Sequence, residues 1–407
     1  MTFSIKEFKL NDETRVKLLL QDSVPLYWPC LYILKKMRVR SPNTQQRFFS
    51  DLIILLEWLI YKGINIEERL KKRPKSVYLS ETELAEFSSQ VHWRKDVLDK
   101  KYSGVRLHRS AYQQVSAYQS ESRLATARNY LCFLYEALGH PDDRFDQIEW
   151  LVKRINLSIV QSKPSWKRRP MEPKGLTSEQ ERVLLNYLHP RSEQNPWPKS
   201  LAVRVRNYLI VIILYSLGVR RSEMLGIKLS DVNYRDNRIS IVHRPNDPDD
   251  PRAEEPNIKT NERKLPAPEY LMSLINEYIE CYRKSKRAKS HPYLFLSHGR
   301  NEGAPLSIKS VDAVFNVAKK NFPILKCVTP HTLRHHDVYR TMKIVAEETK
   351  NLSPEERETI FYRVCNFRYG WVDTSRMPGR YGQKFFQEEA SEAMKILNEK
   401  LLSELPF

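Results

Sequence analysis

The chain has 407 residues, a length that suits two domains, and 41% of them are apolar, enough for real cores. Its 68 lysines and arginines exceed its 49 aspartates and glutamates, a net charge of +19 that suits a polyanionic partner, because neutralised phosphates release counterions. The apolar stretches, such as Tyr208 to Leu217, are too short to cross a bilayer, and the N-terminus lacks a secretory signal pattern. The five cysteines form neither a CxxC pair nor a metal-ligand spacing. The expectation is a soluble, reduced, cytoplasmic protein that needs neither membrane nor metal nor cofactor.

Residues 1–160 read as one helical domain. Ser41-Pro42-Asn43-Thr44 offers capping chemistry, after which Phe48, Leu52, Leu55, Leu56 and Leu59 recur at helical spacing. A second helix is predicted over about Arg123 to Leu138. Basic groups punctuate this region: Lys35, Lys36 and Arg38, then Lys71, Lys72 and Arg73. Any one group reads as a solvated face; their repetition around a helical core fits a module that grips a phosphate backbone. Residues 161–176 hold Pro164 and Pro170 among Lys167, Arg168 and Arg169, and read as an extended basic linker able to lie along such a backbone.

Residues 177–407 form the second predicted domain. A capping box from Ser178 to Glu181 opens a helix through Leu188, and Leu201 to Leu217 is an apolar helix closed by Gly218. Arg238 to Val242 alternates like a strand and pairs with Lys259 to Pro266 across a Pro- and Asp-rich tip, Pro245 to Pro256, predicted to be mobile. Helices follow over Tyr270 to Tyr282, Ser307 to Asn321 and Thr332 to Glu348, with extra helix expected within Glu347 to Arg363. After Tyr381, the residues Phe386, Ala390, Ala393, Met394, Leu397 and Leu401 lie on one helical stripe, read as packing or as a dock for a neighbouring protomer. The fold class is mainly α with a small antiparallel hairpin.

Three short motifs carry the chemistry: Gly218-Val219-Arg220-Arg221-Ser222-Glu223, His331-Thr332-Leu333-Arg334-His335, and Gly379-Arg380-Tyr381-Gly382. Each alone is weak. A Gly-x-Arg turn after an apolar helix is often only a cap, and one tyrosine among 21 says little. His331 and His335, four residues apart, could face one zinc ion, but no third ligand stands near them. The order of the set is informative, because cutting a phosphodiester without a metal takes several cationic donors on one phosphate and a nucleophile in line. Arginine suits the phosphate-holding role, since its planar fork stays charged and can hold non-bridging oxygens.

On these residues, with Met224-Leu225-Gly226-Ile227-Lys228-Leu229 after the first box and Tyr369-Gly370-Trp371 before the last, the chain resembles the tyrosine recombinase (phage integrase) family. By motif the resemblance covers about Thr177 to the C-terminus. It implies a two-domain C-shaped clamp on DNA, with a helical core-binding domain and a catalytic domain. It also implies cleavage by Tyr381 to give a phosphotyrosine, with Arg220 and Arg334 on the phosphate and His331 as acid/base. Lys259, or Lys264 as the alternative, would protonate the leaving oxygen. Trp371 would stand where the family usually has a second histidine, and Glu223 and His335 would orient the groups around them. The implied partner is double-stranded DNA with paired half-sites, held by a dimer on each site and a tetramer in synapse, in a nucleoid-associated setting typical of mobile elements. Two other functions remain open: a type IB topoisomerase that relaxes DNA, and a non-catalytic DNA-binding accessory protein.

Overall fold

A computed structural model of the protein describes residues 2–11, 14–71, 78–105, 113–161, 175–245, 247–252, 255–256, 258, 260–285, 287–299 and 301–403. The chain divides into two compact units, Met1–Pro170 and Met171–Phe407. The structure is mostly helical with small antiparallel sheets.

The N-terminal unit opens with a sheet where the sequence predicts only helix. Strands β1 (Phe3–Lys9) and β2 (Arg15–Gln21) pair antiparallel, and the two-residue β3 (Val24–Pro25) borders β2 on its other side. Val16, Leu19 and Leu20 of β2 are buried, so the central strand reads as a short apolar run whose spacing fits a helix as well as a strand. The α-helices among the described residues that follow are α1 (Tyr27–Tyr32), α2 (Pro42–Tyr61), α3 (Ile66–Lys71), α4 (Glu81–Gln90), α5 (Lys95–Tyr102), α6 (Ala117–Leu138) and α7 (Arg144–Gln161). Their core is built on Phe49, Leu52, Trp58, Leu131 and Tyr135, all within 1% of full burial. Tyr32 stacks on Phe48 with ring centroids 4.6 Å apart, tying α1 to α2.

The C-terminal unit is organised around α9 (Leu201–Leu217), whose apolar residues are buried along most of its length and which packs against α11 (Glu269–Glu277) and α13 (Pro330–Glu348). The preceding α8 (Ser178–Arg182) is capped one residue earlier than expected. Thr177 Oγ1 accepts from the Gln180 amide at 3.2 Å, and Gln180 Oε1 accepts from the Thr177 amide at 3.0 Å. Glu181 is thereby released to bond Tyr215 and His336. Helix α13 likewise starts two residues early, at Pro330, because Thr329 caps it.

Beyond α9 lie the short helix α10 (Arg221–Leu225) and a sheet of β4 (Val232–Asn233), β5 (Arg238–Ile241) and β6 (Arg263–Pro266), with β5 and β6 paired antiparallel from Arg238↔Pro266 to Ile241↔Arg263. The Pro- and Asp-rich tip between them is anchored through its described residues. Asp247 accepts from Lys228 Nζ at 3.0 Å and from the Tyr293 hydroxyl at 2.6 Å, while Arg252 donates to the carbonyls of Leu225 and Leu306. Composition predicts a mobile tip; at its described residues, buried acceptors are matched to donors from elsewhere in the unit.

The remaining helices are α12 (Ile308–Asn321), α14 (Pro354–Tyr369), α15 (Met377–Tyr381) and α16 (Gln383–Ser403). Helix α14 is the extra helix, ending later than expected because Gly370, at φ 65°, caps it. Of the apolar stripe of α16, Phe386, Met394 and Leu397 are exposed, with Phe386 meeting the Phe361 ring edge-on at 6.1 Å. No described helix is long and apolar enough to cross a membrane.

Candidate active site

Two left-handed turns bring the motifs together. Gly218 ends α9 at φ 58°, and a Cβ there would lie 2.3 Å from Asp337 Oδ2, so only glycine lets the chain turn here. The turn sets Arg220 at the N-terminus of α10. There the Arg-x-x-Glu spacing lets Glu223 fold back and accept from the Arg220 amide at 2.9 Å and from its Nη1 at 3.1 Å. Gly370 does the same after α14: a Cβ would lie 2.7 Å from the Asn261 carbonyl, so glycine allows Trp371 to follow directly into the site.

Glu223 is the electrostatic centre. Its carboxylate is buried and also accepts from Arg263 Nη2 at 2.8 Å and Thr260 Oγ1 at 2.7 Å, with Arg334 Nη1 3.7 Å away. Burial pushes its pKa up, but Arg263 and Arg334 outweigh that effect and hold it down at about 2. A depressed carboxylate stabilises the fold above its ordinary value of 4.5 and loses that contribution as pH falls towards 2. The difference in melting temperature between the protein and its Glu223→Gln variant should therefore be constant above about pH 5 and shrink on acidification below about pH 4. Thermal melts across that range check it.

Arg334, at 1% exposure, is held from both sides of the pocket. Nη1 donates to the Gly218 carbonyl at 2.7 Å and Nη2 to the Tyr369 carbonyl at 3.0 Å. Its guanidinium lies 5.0 Å from the Tyr369 ring, 5.5 Å from Trp371 and 5.7 Å from Tyr381. Burial lowers its pKa to about 10 against the opposing pull of Glu223, so it remains a cation at neutral pH.

Tyr381, the last residue of α15, is 6% exposed and lies inside this ring of groups. His335 stacks on it at 4.3 Å, Trp371 is 5.2 Å away, and His331 meets it edge-on at 5.3 Å. The Tyr381 carbonyl can only accept, so the 3.3 Å contact with His335 Nδ1 places a proton on that nitrogen. His331 is exposed on the first turn of α13. A cleft of about 670 Å³ is lined by Arg220, Arg221, Ser222, Lys319, His331 and Arg334 among others, and two of these, His331 and Arg334, also flank the Tyr381 ring.

The structure thus gathers Arg220, Glu223, His331, Arg334, His335, Trp371 and Tyr381 at one place. Lys259 lies outside the described residues. Lys264 is exposed on β6, on the face opposite Arg263, whose guanidinium enters the site. In the N-terminal unit Lys35, Lys36, Arg38 and Lys71 are exposed, while Lys72, Arg73, Lys167, Arg168 and Arg169 lie outside the described residues.

Three participants escape the motif reading: Thr260, Arg263 and Asp337. A signal exists for two of them. Arg263 shares a strand face with buried Leu265, and Asp337 sits on the buried side of α13 next to Val338; a charge on an apolar face demands partners.

Residues 174–342 match the model of the phage integrase family. The tyrosine recombinase XerD of Halalkalibacterium halodurans is 31% identical over 164 residues, covering 40% of this chain and 46% of the relative. The tyrosine recombinase XerA of Pyrococcus furiosus is 28% identical over 163 residues, with the same coverage of 40% and 46%. Transposase A from transposon Tn554 of Staphylococcus aureus is 33% identical over 133 residues, 32% of this chain and 34% of the relative. The chain spans about half the length, or less, of these curated relatives.

Among solved structures, the Tn1549 transposon integrase in complex with transposon right end DNA superposes with a TM-score of 0.50 at 16% identity, over 90% of this chain and 100% of that one, a likeness of fold. Over residues 174–342 the chain is similar to the tyrosine recombinase (phage integrase) family.

Proposed function

We propose that the protein is a site-specific recombinase that cuts and rejoins double-stranded DNA through a 3′-phosphotyrosine on Tyr381, in the service of a mobile genetic element. The observation that carries this reading is the convergence on Tyr381 of Arg334, His331, His335 and Trp371 beside a cleft that Arg220 also lines. In the forward step the Tyr381 phenol oxygen attacks phosphorus and the bond from phosphorus to the 5′ oxygen breaks. His331 receives the phenol proton, and the leaving oxygen takes one from Lys259. Arg220 and Arg334 balance the charge that builds on the non-bridging oxygens, and the Trp371 indole N–H adds one donor. The strand end stays bonded to the enzyme, so a new 5′ hydroxyl can reverse the step without ATP.

The exposed Lys35, Lys36, Arg38 and Lys71, together with the basic linker, supply backbone contacts, with a dimer on each pair of half-sites and a tetramer in synapse. The names of the Tn554 and Tn1549 relatives favour transposition or integration as the setting.

The experiment is peptide mapping of the covalent adduct trapped on a nicked suicide substrate. Phosphotyrosine at Tyr381 is expected; an adduct at another tyrosine, or none, would overturn the reading. Relaxation of supercoiled DNA by dilute enzyme with no product from paired sites would replace it with a topoisomerase.

Arg334→Ala should slow cleavage by about 10²–10³-fold, the scale of losing one preorganised donor to a developing oxyanion. DNA affinity should change far less, because backbone contacts elsewhere carry it. Single-turnover cleavage and a gel-shift titration check the two halves separately.

A further inference from the structure

Three arginines close the C-terminal end of α9, each on a different carbonyl. Arg340 Nη2 donates to the Tyr215 carbonyl at 2.7 Å, Arg368 Nη2 to Ser216 at 2.8 Å, and Arg334 Nη1 to Gly218 at 2.7 Å. These are carbonyls that a helix end leaves without intrahelical partners. Two of the three arginines converge on one carboxylate. Asp337 Oδ1 accepts from Arg340 at 3.1 Å and from Arg368 Nη2 at 3.0 Å, and Oδ2 accepts from Arg368 Nε at 2.9 Å. The same Oδ2 accepts from the Tyr369 hydroxyl at 2.8 Å, and the Thr341 hydroxyl lies 2.9 Å from the Tyr369 oxygen. Asp337 also packs directly on the Gly218 turn, in the space a Cβ would need.

Asp337 therefore touches the two places from which Arg334 is held. One is the Gly218 turn; the other is Tyr369, whose carbonyl takes Arg334 Nη2 while its hydroxyl is tied to the carboxylate. Asp337 lies one helical turn after Arg334 on α13, so the residue that aims the arginine is built into the same helix. We propose that Asp337 is a positioning residue for the cleavage step: through Arg368, Arg340 and the Tyr369 hydroxyl it fixes the Gly218 and Tyr369 carbonyls that orient Arg334 on the scissile phosphate.

The carboxylate touches no reacting atom. Its effect is to remove freedom from a donor that must be in place before charge develops. The inference rests on the reading of Arg334 as a phosphate clamp, and its test is arranged to separate the two.

Tyr369→Phe keeps the buried ring and removes one hydrogen bond to Asp337; Asp337→Asn keeps the shape and removes the charge. In the DNA-free protein, amide exchange should quicken in both variants at Gly218–Ser222 and at Gly370–Trp371, with the β5–β6 pairing unchanged. On a suicide substrate at saturating protein, the single-turnover cleavage rate should fall by up to about 10²-fold while the final amount of covalent adduct and the DNA affinity stay level.

Unchanged exchange at both turns would overturn the proposal. So would a lowered adduct yield at an unaltered rate, because that pattern means fewer folded molecules and not a misaimed arginine. Should Asp337→Asn fail to fold, Tyr369→Phe decides alone. A wild-type protein that cleaves no DNA would refute the recombinase reading, while the exchange measurement would still decide what Asp337 holds.

Discussion

Tyr381→Phe should form no covalent adduct with any DNA while remaining folded and DNA-binding. The ring is what the fold uses: His335 stacks on it, and Trp371 and the Arg334 guanidinium complete its surroundings. Phenylalanine supplies the same ring, so packing survives and only the nucleophilic oxygen is lost. Deleting a covalent nucleophile costs on the order of 10⁶-fold in rate, so cleavage should fall below detection. Trapping on a nicked substrate, read on a denaturing gel, gives the result, and a gel shift on the same preparation shows that binding persists. Residual adduct in this variant would show that another tyrosine cuts.

Glu223→Ala should be the most damaging change to the fold. The carboxylate is buried with Arg263 at 2.8 Å and Arg334 at 3.7 Å, and it also receives the Arg220 amide and the Thr260 hydroxyl. Removing it leaves two buried guanidinium groups facing one another with no counter-charge. Breaking such a pair costs about 3–5 kcal/mol, a large share of a domain's stability. Glu223→Gln, which keeps the acceptor and loses the charge, should fall between the two. Denaturant unfolding of the full chain, followed by a probe in the C-terminal unit, measures the order. A loss below about 1 kcal/mol would place the balance of charge elsewhere.

The site is more legible in the sequence than the fold around it. Chemistry leaves local traces: Gly218, Arg220 and Glu223 are spaced by the geometry of a turn and a helix start, and Arg334 lies one helical turn from His331. Packing leaves weaker ones. The sheet of Phe3–Lys9 and Arg15–Gln21 escapes because Val16, Leu19 and Leu20 fall at the i, i+3, i+4 spacing of a helix, and only the neighbouring strands decide for extended backbone. The segment around Asp247 misleads because a run of prolines and aspartates resembles a free loop until Lys228 and Tyr293, remote in sequence, supply its partners. Asp337 and Arg263 act across 31 and 40 residues, on Arg368 and Glu223; a charge on an apolar face announces that each needs a partner, but nothing local says which.

The grip on Arg334 has a consequence for the proposed cleavage step. With two of its nitrogens on main-chain carbonyls at opposite walls, that side chain has no alternative rotamer to visit without loosening a helix end. In the recombinase reading proposed above, little reorganisation energy is left to spend when a nucleic-acid backbone arrives, and adaptation falls to the tyrosine's side, where Val372 to Arg380 connect it to the tryptophan.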